Sequence, residues 1–322
     1  MSAVGVAPGL GPGGPGGSAG PGGSAGPSGS VPVRRGRRRS TPFFLALVGT
    51  AYLCVFFVVP LVSGLIVSLM TGNPDDGYTF TWNFGIYGSL FVDPQVPYLT
   101  FLLRSLWYGA AATIACIVVG YPVAYFIAFR VSPRWKNPLL MLVFISFLVS
   151  FIIRTDMWAF VLASQGPVVT TLQALGLAGK DFHILGTGGA VIFGDAYNDL
   201  AFMVLPIYAA LERIDPRLGE AANDLYAGKF RAFWHTTLPL SRSGIFAGVL
   251  LVFIDSVGDP VNSALLGGTN TYTIGQAIQD AYSGNQQYNV AAALSTVLMV
   301  VLGIILFIYA RVSGTDDLED LV

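Results

Sequence analysis

Hydrophobic positions fall into six long blocks, at about 43–70, 101–129, 138–162, 188–211, 243–265 and 289–311. Each is near the ~20 apolar residues that a helix needs to cross a bilayer. The pattern predicts an all-α polytopic membrane protein with about six transmembrane helices. The fourth and fifth blocks are separated by one polar island, residues 212–242. Asp215 followed by Pro216 reads as a helix start there, because Asp can accept from first-turn amides and Pro fits where no amide partner is needed. Gly228 reads as the stop. Between them Leu218, Ala221, Ala222 and Leu225 fall at i, i+3, i+4 and i+7, a narrow apolar stripe with two small residues at its centre. Phe230, Phe233 and Trp234 predict a second short amphipathic helix that ends before Pro239.

Composition sharpens the class. The chain is 53% hydrophobic and 11% charged, with a mean hydropathy of +0.65, whereas a soluble domain carries about a quarter charged residues. Cys54 and Cys116 both lie in apolar runs and read as small buried side chains, not as a disulfide or metal site. Residues 1–40 form a Gly/Pro-rich tail expected to be disordered, ending in Arg34, Arg35, Arg37, Arg38 and Arg39. That cluster fits either a nucleic-acid arm or the positive flank of the first span, and the span that follows at once favours the flank. A permease domain is expected over 41–312 and an acidic tail over 313–322. With this topology fourteen of the seventeen basic residues collect on one side, leaving Arg104, Arg154 and Lys180. Both termini and the polar island are therefore expected to face the cytoplasm.

The island resembles the EAA loop of ABC-importer permeases. Glu220, Ala221 and Ala222 match the triplet, Ala227 matches the small residue that follows the usual Gly, and Leu238-Pro239 stand at the family's spacing; Tyr226 replaces the usual Gly. The resemblance implies that Glu220, Ala221, Ala222, Leu225, Tyr226, Gly228, Leu238 and Pro239 couple the chain to a separate ATPase. The stretches SLWYGAAATIACIVVGYPVAYFIAF (105–129), FLVSFIIRTDMWAFVL (147–162), FMVLPIYAALERID (202–215) and SVGDPVNSALLGG (256–268) are similar to spermidine/putrescine permeases, the polyamine branch of type I importers. That family implies two ATPase subunits, a second related permease, and an extracytoplasmic solute-binding protein in a bacterial plasma membrane. It implies no cofactor in this chain, ATP and Mg being held by the partner ATPase, and no nucleic acid.

Ionisable side chains inside a span are costly and are functional candidates by default. Asp156, Asp195, Asp199, Asp255 and Asp259, with Trp158, Tyr197, Asn198 and Tyr208, are the candidates for a cation pathway, since carboxylates beside aromatic faces suit an amine losing water. The plain alternative for each aspartate is a place at the outer interface or a pairing with Arg154. Arg154 and Asp156, two apart, do not face each other on a helix and are placed either side of a break in the third span. Pro60, Pro122, Pro206 and Pro260 sit in or beside spans; Gly120-Tyr121-Pro122 and Gly258-Asp259-Pro260 are the stronger hinge points. Gln276, Gln279, Asp280, Tyr282 and Asn285 are placed in an outer loop that would meet a binding protein.

Several chemistries are excluded or disfavoured. No complete Gly-x-x-x-x-Gly-Lys phosphate loop occurs at Lys136, Lys180 or Lys229, and His183 and His235 stand alone. Asp75-Asp76, after Asn73-Pro74, reads as a solvated turn. The chain is expected to be a permease subunit and not itself an enzyme. The alternatives are a permease of the same branch for another small solute, or a self-powered secondary transporter, which six spans without an internal repeat disfavour.

Overall fold

The computed structural model describes residues 49–73, 77–92, 96–179, 181–215, 217–218, 225 and 228–313. The chain divides into two units, Met1–Tyr52 and Leu53–Val322; of the first, residues 49–52 are described, as helix. Among the described residues four helices are long and apolar enough to cross a membrane: Gly49–Ser68, Tyr98–Phe129, Gly188–Glu212 and Tyr288–Arg311. Two bent pairs, Pro133–Leu148 with Phe151–Ala174 and Phe230–Leu240 with Arg242–Gly258, bring the total to six.

In chain order the second unit begins with a π-helical turn, Cys54–Val58, leading into α1 (Val59–Ser68). Pro60 explains the turn: it has no amide to offer, so the helix widens just before it, and the Val59 amide bonds back to the Cys54 carbonyl. A short antiparallel hairpin follows, β1 (Met70–Asn73) and β2 (Gly77–Phe80), with Met70 opposite Phe80 and Asn73 opposite Gly77. An all-α reading does not anticipate it, and Asp75-Asp76 lie outside the described residues. Next come α2 (Gly85–Val92), α3 (Tyr98–Phe129), α4 (Pro133–Ile145), α5 (Phe151–Leu162), α6 (Pro167–Ala174) and α7 (Gly188–Glu212).

After the polar island, Lys229–Ala232, a π turn Phe233–Thr237 and Leu238–Leu240 form one helical stretch, α8. This corrects the expectation of a helix ending before Pro239: as at Pro60, a π turn absorbs the missing amide and the helix passes through. The rest is α9 (Arg242–Gly258), α10 (Val261–Leu266), α11 (Ile274–Gln279) and α12 (Tyr288–Ser313).

Two of the six blocks need correction. The third is broken: a 3-10 turn at Ser146–Leu148 and extended backbone at Val149 turn the chain by 89°. Arg154 and Asp156 both lie beyond that break, inside α5, and do not bracket it. The fifth ends at Gly258, and Asp259-Pro260 starts the separate α10, as the Gly-Asp-Pro hinge predicts. Pro122 and Pro206, by contrast, sit inside continuous helices. Gly120 is no hinge; it is where α3 lies close on Met203 of α7.

The main core lies between α3, α7 and α9, around Cys116, Tyr121, Ala124, Met203, Ile207, Leu211 and Val252. Helices in lipid gain little from hydrophobic association and pack best through small residues. Gly244 and Gly248 of α9 supply that contact. A Cβ at Gly244 would stand 2.5 Å from the Pro206 carbonyl oxygen, and one at Gly248 would stand 2.7 Å from the Met203 sulfur. A second cluster joins α2, α3, α9, α11 and α12 around Leu102, Val257, Ile274 and Leu294. A third joins α5, α7 and α10 through Leu162, Ala190 and Leu266.

Candidate functional site

Helix α7 carries Asp195, Asn198 and Asp199 at i, i+3 and i+4, so the three share one face. The end of α9 brings Asp255, Ser256 and Asp259 to the same place. There a cavity of about 380 Å³ is lined by Asp195, Asp199, Asp255 and Asp259 with Phe151, Ile254, Gly258, Pro260 and Asn262. No basic side chain is among these lining residues. Four of the five candidate aspartates therefore converge on one space, set against the break that ends α9.

Burial grades the four. Asp195 and Asp199 are 2% and 3% exposed, whereas Asp255 is exposed and Asp259 half-buried. Neutral donors orient three of them. Ser256 Oγ donates to Asp199 Oδ2 at 2.8 Å, and Asn262 Nδ2 donates to Asp195 Oδ1 at 2.7 Å. Asp259 accepts from the Val261 and Asn262 amides, both at 2.9 Å, and so caps the first turn of α10. Neutral hydrogen bonds fix a carboxylate without cancelling its charge. The cavity thus gathers four carboxyl groups that a mobile cation can answer.

Beneath it lies a buried polar node. Thr155 Oγ1 of α5 donates to Asn262 Oδ1 at 3.1 Å, and Asn198 Nδ2 donates to Thr155 Oγ1 at 3.0 Å and to Asn262 Oδ1 at 3.2 Å. Among the described residues Asn198 Oδ1 and Arg154 Nε are buried without a hydrogen-bond partner. Thr155, Ser256 and Asn262 are the members that sequence reading missed. They are short polar side chains scattered through apolar runs, and the only local hint is Asn262 two positions after Asp-Pro.

The other pathway candidates lie elsewhere. Asp156 is exposed on α5 and does not line the cavity. Trp158 and Tyr197 meet each other, ring centroids 5.1 Å apart, and Trp158 also packs edge-on against Phe193 at 4.7 Å; neither lines the cavity. Tyr208 belongs to the main core and donates to Glu212 Oε1 at 2.7 Å, at the island end of α7.

Of the coupling-loop candidates, Glu220, Ala221, Ala222 and Tyr226 lie outside the described residues. Asp215 Oδ1 accepts from the Arg217 amide at 2.9 Å, the bond expected of a helix start. Leu218 and Leu225, the two described members of the stripe, are 49% and 81% exposed. Gly228, Leu238 and Pro239 are half-buried. Phe233 of α8 packs edge-on against Tyr121 and Tyr125 of α3, centroids 5.6 and 5.7 Å apart. The Tyr121 hydroxyl lies 3.0 Å from Ser241 Oγ.

At the opposite end, Gln276 is drawn inward by a bond from Ser263 Oγ at 2.9 Å, while Gln279, Asp280, Tyr282 and Asn285 are exposed. Tyr272 donates to Asp280, and burial together with that carboxylate pushes its phenol above the usual tyrosine range.

A family model described as "Binding-protein-dependent transport system inner membrane component" matches residues 120–314. The chain is 34% identical over 261 residues to the spermidine/putrescine transport system permease protein PotB of Haemophilus influenzae, covering 81% of this chain and 90% of that one. To the PotB protein of Escherichia coli it is 34% identical over 262 residues, covering 81% and 94%. In fold it is similar to a chain of a bacterial alginate ABC transporter solved in complex with its alginate pentasaccharide-bound periplasmic protein. That match has a TM-score of 0.64 at 18% identity and covers 87% of this chain and 96% of the other.

Proposed function

The chain belongs to the family of binding-protein-dependent transport system inner membrane components, and from that premise we propose that it is the permease subunit of an ABC importer whose cargo is a polyamine such as spermidine or putrescine. The observation that carries the cargo class is the cavity bordered by Asp195, Asp199, Asp255 and Asp259 with no basic side chain in its lining. A linear amine with two or three positive charges answers several carboxylates at once. A neutral or acidic solute would leave them facing one another.

The route begins with an extracytoplasmic binding protein that delivers the cargo at the end bearing Gln279, Asp280, Tyr282 and Asn285. The cation then passes the acidic cavity, shared with a second, related permease. Two ATPase subunits dock on the cytoplasmic island, where the exposed Leu218 and Leu225 support a partner-covered stripe. ATP and Mg are bound by those subunits and not by this chain. ATP binding favours the outward-facing arrangement through contacts that differ between the two states. Docking forces reach the bundle through α8, whose Phe233 is lodged against α3.

The test is ATP hydrolysis and uptake by the reconstituted assembly with spermidine, putrescine, a neutral polyol and an acidic oligosaccharide offered in turn. Stimulation by the two amines alone supports the reading; stimulation by the neutral or acidic solute and not by the amines removes it. A self-powered secondary transporter would instead show ion-driven uptake by this chain without any ATPase.

A further inference from the structure

Asn262 stands where three separately built elements meet. It is 1% exposed and is the second residue of α10, just past the Asp259-Pro260 break. Its backbone amide donates to Asp259 Oδ2 at 2.9 Å and its Nδ2 donates to Asp195 Oδ1 at 2.7 Å. Its Oδ1 accepts from Thr155 on α5 and from Asn198 on α7. One side chain therefore holds two helices by its carbonyl edge, while the residue's two donors orient two of the four carboxylates. We infer that Asn262 is the positioning residue of the cation site, aiming Asp195 and Asp259 and tying their aim to the placement of α5 and α10. The inference rests on the reading of the acidic cavity as the path of a cationic cargo.

The chemistry favours an amide over the other residues that fill such a place. A Lys or Arg would orient Asp195 equally well but would neutralise it and compete with the cargo. An apolar residue would leave a carboxylate that is only 2% exposed without this donor, and would strip the acceptor from Thr155 and Asn198 as well. Asn satisfies both edges at once and leaves the net charge of the cavity untouched. Any shift of α10 against α7 lengthens the 2.7 Å bond and re-aims Asp195.

The test uses the complete reconstituted importer and reads spermidine taken up per ATP hydrolysed. Asn262→Ala and Asn262→Asp should each lower that ratio about tenfold, the worth of one charge-assisted hydrogen bond. The exchange of both, Asp195→Asn with Asn262→Asp, keeps the number of carboxylates. It also keeps every pairing, since the carboxylate introduced at position 262 would accept from Thr155, from Asn198 and from the amide introduced at position 195. It should recover the ratio to within about threefold of the parent, a rescue that a merely structural Asn does not produce. An Asn262→Ala importer with an unchanged ratio, or an exchange variant no better than the worse single variant, overturns the inference. Should Asn262→Ala fail to assemble, the exchange variant decides alone. Asp255→Asn, which touches none of Asn262's bonds, separates the two levels. If it lowers uptake and the Asn262 variants do not, only the positioning role falls; if it leaves uptake unchanged, the cavity reading falls and this inference with it.

Discussion

Phe233 meets Tyr121 edge-on, ring centroids 5.6 Å apart and planes at 86°, although the two stand on helices far apart in the chain. Tyr121 in turn lies 3.0 Å from Ser241 Oγ, at the start of α9. The α8 stretch is thereby seated on α3 at one end and joined to α9 at the other. Under the proposed docking, a push on the island would reach two helices of the main core through these contacts.

Phe233→Ala should uncouple the machine. Removing a half-buried ring from its two aromatic partners on α3 loses about 0.5–1.5 kcal/mol per pair beyond its area, enough to loosen α8 while leaving insertion intact. The expected result is an assembled complex whose ATP hydrolysis no longer rises with cargo; an unchanged stimulation in the purified assembly would count against the seating role.

The exposed stripe should be sticky for the motor. Leu225→Asp places a charge on a side chain that is 81% exposed, so the cost to the isolated chain should be within about 0.5 kcal/mol. Co-purification with the ATPase should nevertheless fall sharply. Substituting Glu220, or deleting Ala221 and Ala222, is expected to act in the same sense on coupling.

Close helix contact makes an ordered set of glycine predictions. Gly244→Ala meets the Pro206 carbonyl at 2.5 Å, a backbone atom that cannot step aside, whereas Gly248→Ala meets the Met203 sulfur first, at 2.7 Å, with backbone no closer than 3.3 Å. Gly64→Ala meets nothing within 4 Å. Thermal unfolding in detergent should rank Gly244→Ala as most destabilising, by about 1–3 kcal/mol, Gly248→Ala as intermediate and Gly64→Ala as neutral.

Loss of one buried carboxyl group should be felt by the cargo in proportion to the cargo's own charge. Asp199→Asn keeps size and a bond to Ser256 but removes one carboxylate. Uptake should fall about tenfold, roughly one to two kcal/mol of a screened charge pair, and fall further for spermidine than for putrescine. Equal losses for the two amines would sink the charge-matching account.

The spans and the island were legible because long apolar blocks and a polar gap are properties of consecutive residues. The α9 break was legible too, since Gly258-Asp259-Pro260 carries its own cause. A break in the third span was expected between Arg154 and Asp156, but its place at Ser146–Leu148 was not legible, because no Pro or Gly marks it. The hairpin was not read: its signal, Asn73-Pro74 flanked by short Thr- and Tyr-bearing runs, supports a turn but is too short to announce two paired strands. Asp195, Asp199, Asp255 and Asp259 could be nominated from their cost in a span, yet their grouping depends on two helices meeting. Asn262 bonds to Asp195 and Thr155 across 67 and 107 residues, and no local pattern announces such a pair.

The Tyr78 phenol donates to the Gln286 carbonyl at 2.6 Å and accepts from the Tyr288 amide at 3.3 Å, while Asn289 Nδ2 reaches the Met70 carbonyl at 3.4 Å. The hairpin thereby clips the foot of α12 to the strand that leaves α1, so these two helices share a pivot at that end. Like the arms of tweezers, two helices fastened at one end would turn a small tilt of either arm into its widest displacement at the far tip.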